Sequence, residues 1–134
     1  MDRPSDLDLV VEVVRELFPE IKTQTRIGGA EGHRVRLDAS LSFTKARARV
    51  LAARDRLRRF AGGAGLDDVR DQWRTGRLDA VVRVRGGWAV GGFSVDRKDM
   101  DIVIEVFEAS TPKEDARLPA RPVVPEPLMF LFPL

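Results

Sequence analysis

Cysteine and tyrosine are absent from the 134 residues, and histidine occurs once, at His33. Without a thiol the chain has no disulfide framework, no cysteine nucleophile and no cysteine metal site. His33 and five serines leave a Ser/His/Asp triad formally possible, but no Gly-x-Ser-x-Gly elbow exists to expose a nucleophile. His33 abuts a glycine loop and reads as a solvent-contacting residue at a strand start. No apolar run approaches the ~20 residues needed to span a bilayer. The first segment carries Asp6, Asp8, Glu12 and Glu16, unlike a signal peptide, so the expectation is a cytoplasmic protein with no membrane partner.

Charge is nearly balanced at +2, but it is unevenly spread. Residues 1–31 carry 4 basic and 7 acidic groups, residues 32–61 carry 9 and 2, and the rest carry 10 and 12. A basic middle between acidic ends suits either a polyanion or pairing of basic with acidic flanks between copies. The length fits one domain that can bury its own core, expected over 1–108, followed by an arm over 109–134.

Ser5 lies three residues before Asp8, a helix-capping spacing, and Leu7, Val10, Val14, Leu17 and Phe18 recur at helical period. This predicts a helix over 6–18, ended by Pro19. Ile21, Thr23, Thr25 and Ile27 alternate with polar residues, as do Val35, Leu37, Ala39 and Leu41, predicting the two half-buried strands of a hairpin. Phe43, Ala46, Val50, Ala53, Leu57 and Phe60 step by three and four, giving a central helix of about five turns. A short helix is expected at 66–75, with Leu66, Val69 and Trp73 inward, and three strands at 78–85, 88–95 and 100–108. Trp73 and Trp88 read as core or interface anchors. The fold class is therefore α+β: an antiparallel or mixed sheet of about five strands packed by two main helices.

Six of the eight prolines fall after Ala109, and the chain there ends in Leu128, Met129, Phe130, Leu131, Phe132, Pro133 and Leu134. Leaving such a tip in water costs roughly 25 cal/mol per Å², so it is expected to dock, on a protein partner or on the chain's own core. The central helix flanks its apolar stripe with Lys45, Arg49, Arg56 and Arg59 on one side and Arg47, Arg54 and Arg58 on the other. Arginines so placed lay their stems over a core edge and pair with acids. A nucleic-acid contact through this basic helix is the alternative. The tip together with Arg47, Arg54 and Arg58 forms the expected partner-binding set.

Gly86-Gly87 followed by Asp99-Met100-Asp101 at a strand start resembles the signature of the nucleotidyltransferase superfamily. That resemblance implies phosphate on Gly86 and Gly87, and Mg²⁺ held by Asp99 and Asp101 for an Mg-NTP reaction. The plainer expectation is a glycine-turn hairpin followed by a charged turn, with no cofactor. Across residues 6–108 the order of elements resembles tailed-phage tail-terminator and tail-completion proteins. It rests on a helix leading into a strand over Leu9 to Ile27, a strand running into an Ala- and Arg-rich helix over Leu37 to Phe60, and a closing hairpin with alternating Ile102 to Phe107. This resemblance implies a non-enzymatic subunit, located in the virion, that forms a homo-oligomeric ring and joins a second assembly component.

Overall fold

A computed structural model describes residues 5–28, 33–56 and 60–109. Helix α1 spans Asp6–Leu17, strand β1 Ile21–Ile27, β2 Arg34–Ala39, helix α2 Phe43–Asp55, and strands β3 to β6 span Gly65–Gln72, Arg77–Arg83, Ala89–Lys98 and Asp101–Glu108. The six strands form one sheet in the order β1-β2-β6-β5-β4-β3, every pair antiparallel. The α+β class is as expected, with one strand more.

Both helices pack on the same face of the sheet. In β2, Val35, Leu37 and Ala39 point to that face, opposite Val106, Ile104 and Ile102 of β6. Phe93 and Val95 of β5 and Leu78, Ala80 and Val82 of β4 continue the layer, and α1 covers it with Val10, Val14 and Leu17. No helix among the described residues is long and apolar enough to cross a membrane.

Local chemistry sets the helix ends. Ser5 accepts the Asp8 amide at 3.1 Å to open α1, and Ser42 accepts the Lys45 amide at 3.2 Å to open α2. Helix α2 stops at Asp55, short of the expected five turns. The Phe60 amide donates to the Ala64 carbonyl at 2.7 Å, and Gly62 and Gly63 take positive φ, so the chain turns toward β3 while Phe60 still joins the core. Leu57 lies outside the described residues.

The expected helix at 66–75 is instead β3, followed by one 3-10 turn over Trp73–Thr75. A bulge at Asp68, whose φ is 41°, inserts an extra residue between Asp67 and Val69. Leu66 opposite Val82 and Val69 opposite Ala80 thereby face the same core although they are three apart, a spacing that imitates a helix. Strand β1 also departs from expectation. It is an edge strand exposed at every position after Ile21, and Gln24 and Arg26 reach Arg15 and Asp8 of α1.

Gly91 and Gly92 of β5 are required by close approach. A Cβ at Gly91 would lie 2.3 Å from the Phe107 carbonyl oxygen and 2.9 Å from Val10 of α1; one at Gly92 would lie 2.4 Å from the Ala80 carbonyl. We therefore expect Gly91→Ala to lift α1 from the sheet and cost about 1–3 kcal/mol or more in thermal or urea unfolding, as overpacked cores do. An unchanged melting temperature would refute this account of the helix seat.

Candidate interaction surfaces

Strand β5 carries its inward alternation one step past the apolar core. Phe93 and Val95 are buried, and the next residue on that face is Arg97, whose stem passes the start of α2. Its guanidinium lies 5.1 Å from the Phe43 ring centroid and 5.6 Å from that of Trp73. From α2, Arg47 approaches the same indole at 5.2 Å, and the two aromatic rings are 6.2 Å apart. Gly76, with φ 71°, makes room for this stack: a Cβ there would sit 2.9 Å from the Arg97 Cβ. The Arg97 amide also donates to the Gly76 carbonyl at 2.8 Å. Trp73 is 46% exposed, so of the two expected roles, core anchor or interface anchor, it does not fill the first.

The two guanidiniums differ in how they are answered. Arg47 pairs with Asp71 of β3 at 2.7 Å, and this hydrogen bond raises its pKa further. Arg97 is exposed and held by rings, with no carboxylate within 4.0 Å among the described residues. Nη1 of this guanidinium lies beside Gly76, and a guanidinium stacked on rings keeps in-plane N–H donors that suit the two oxygens of a carboxylate or phosphate. This corner was missed in the sequence. The available signal was an arginine on the inward face of a strand, beside a Trp-Arg-Thr-Gly turn.

The rest of α2 behaves as a flanked amphipathic helix. Arg49 grips Glu20 with two bonds of 2.7 and 2.9 Å and donates a third, at 2.9 Å, to the Leu17 carbonyl, tying α2 to the end of α1. Arg54 is exposed. Arg58 and the tip residues Leu128 to Leu134 lie outside the described residues.

The Gly-Gly turn and the aspartate pair are not brought together. Gly86 and Gly87, at φ 109° and 95°, close the β4–β5 hairpin, with the Gly87 amide donating to Val84 and its carbonyl accepting from Arg83 at 2.9 Å. The turn leaves three residues between the bonded Val84 and Trp88 instead of the two expected. Asp99 and Asp101 lie at the other end of β5, about 30 Å away at the usual rise of a ten-residue strand. Asp101 is 4.0 Å from Lys22, and Asp99 takes φ 56° in the tight β5–β6 turn. Among the described residues, no group of three or more His, Asp or Glu side chains is gathered to hold a metal ion. His33 is exposed at the start of β2, and Trp88 is 37% exposed.

The sheet face away from the helices is largely polar. Arg34 pairs with Glu105 at 3.0 Å, Arg77 with Asp96 at 3.2 Å and Asp79 at 3.4 Å, and Thr23 donates to Asp38 at 2.8 Å. Val81 and Ala89 form a small apolar cluster there with Ala109. No known family model, curated protein or solved structure matches the chain.

Two carboxylates in this framework respond to acid. The Arg49 hydrogen bonds hold Glu20 below the ordinary glutamate range, and Arg26 does the same for Asp8. Lowered folded-state pKa values mean that the stabilisation is present above the ordinary carboxylate range and is lost as pH falls through the folded values. Unfolding midpoints measured from pH 7 to pH 3 should therefore fall on the acid side. Glu20→Gln should flatten that fall; an unchanged slope would remove Glu20 as a contributor.

Proposed function

We propose that the chain is a non-enzymatic assembly subunit acting through protein–protein contacts between its own copies. The observation that carries this reading is the open edge at β1. Among the described residues this strand pairs only with β2, and six of its seven residues are exposed. A sheet edge is a template for one more strand. The chain supplies a candidate for that strand in its apolar tip, Leu128 to Phe132, joined to β6 by a proline-rich stretch long enough to reach a neighbour. Lys22 and Arg26 on β1 discourage indiscriminate edge pairing and leave room for one selected segment.

Tip and edge are different surfaces, so their contact is head-to-tail, and repeated contacts either close into a ring or run on as a filament. The order α1 to β1, β2 to α2 and the closing β5–β6 hairpin supports the finer reading of a ring subunit of the tail-terminator or connector kind. Such a ring would join a second assembly component.

Light scattering should give the full chain a mass at a multiple of 15.0 kDa, and a chain ending at residue 118 the mass of a folded monomer. The described core lies wholly before residue 110, so the shortened chain should still fold. Amide exchange in β1 should slow when a peptide of residues 119–134 is added to it. A monomeric full chain, or unchanged mass after truncation, would reject the proposal.

A further inference from the structure

The corner built by Phe43, Trp73 and Arg97 is not used by the edge-to-tip contact, and its chemistry is specific. Arg97 is fixed before any ligand arrives: Gly76 abuts its stem, its amide is bonded to the Gly76 carbonyl, and two rings support its guanidinium. Holding an arginine fork in place removes much of the entropy cost of engaging an oxyanion. From the start of α2, whose first turn bears no acid, Arg47 adds its charge over the indole, and Arg74 follows Trp73 in the 3-10 turn. Asp71 is the carboxylate that answers this group, and it is taken by Arg47.

We propose that this corner binds single-stranded nucleic acid, with a base stacked on Trp73 and a backbone phosphate on Arg97. A carboxylate from a protein would be satisfied by the guanidinium alone. The neighbouring indole is nearly half exposed beside the guanidiniums of Arg97 and Arg47, and its open part offers aromatic surface that a base can cover and an acidic side chain does not. Stacking on one aromatic ring is tolerant of base identity, and phosphate contact carries no sequence information, so the expected recognition is of single strands without sequence preference. A paired base is stacked inside its duplex and cannot reach the indole.

The test is fluorescence anisotropy of a labelled oligothymidylate of about twelve nucleotides, a length within the usual site range, titrated with the full chain at low salt. Trp73→Ala and Arg97→Gln, both at exposed positions, should each weaken binding about tenfold or more, with circular dichroism confirming that they fold. Arg85→Gln, exposed in the β4–β5 turn at the opposite end of β5, should leave binding unchanged, and added salt should weaken it steeply. Absent binding at low salt, equal affinity for a duplex of the same length, or equal losses from Arg85→Gln and Arg97→Gln would overturn the proposal. So would more effective competition by polyglutamate than by unlabelled oligothymidylate, which would assign the corner to an acidic protein surface. The truncation at residue 118 should bind the oligonucleotide at monomer level, so this outcome and that of the assembly test are read separately.

Discussion

The antiparallel pairing of β6 with β2 joins two pieces of chain into one sheet. The β1–β2 hairpin is made early in the sequence, and the β3-to-β6 meander is made after α2; their pairing joins the β2 edge of one to the β6 edge of the other. Leu37 opposite Ile104, with Val35 and Ala39 on either side opposite Val106 and Ile102, closes both edges and presents a continuous apolar face. Without that register α1 would have nothing to sit on, since it packs mainly over β5 and β6. The cost falls on the outermost strands. Among the described residues β1 and β3 each keep one unpaired side, and β3 is flanked by α2 while β1 is exposed.

How α1 seats explains why the sheet tolerates two consecutive glycines in a central strand. Gly91 admits Val10 from above, and Gly92 admits the Phe107 ring on the other face, 3.1 Å from where a Cβ would stand. Glycine in a strand ordinarily weakens it. Here the loss is offset by tighter packing on both faces at one point of the sheet. Substitutions at this point should act on helix seating and on the outer face together.

Most of the fold was legible because its elements obey simple periods. β2 and β6 alternate strictly, Ser5 caps α1, and two glycines at positive φ mark the β4–β5 hairpin. Legibility failed where one local irregularity shifted the period. The bulge at Asp68 turned β3 into an apparent helix, and α2 stops at Asp55, before the glycine turn at 62–63, although apolar residues kept to helical steps. β1 misled for another reason: its alternation of Ile and Thr was genuine, but an edge strand need bury neither face. The Arg97 corner was hidden because it is assembled from three separate stretches of chain, at α2, the β3–β4 turn with Gly76, and the end of β5. Only the sheet register puts Arg97 beside Gly76.

The charge pattern of α2 can be resolved residue by residue. A basic helix suggests a phosphate-facing stripe, yet Arg49 is committed to Glu20 and Leu17, and Arg47 to Asp71, so these cations hold elements together. Exposed ion pairs contribute little individually; their effect is to fix where the helix lies and thus where Phe43 meets Arg97. The ring-held guanidinium of Arg97 comes from β5, at the end of the sheet and away from the long edge at β1. Those two locations are compatible in one assembly. In a ring closed through sheet edges, cyclic symmetry sets each copy's Trp73 corner at one height and one radius. A strand following that rim would meet the same stacking surface repeatedly, and weak single contacts would add as effective concentration rather than as new chemistry.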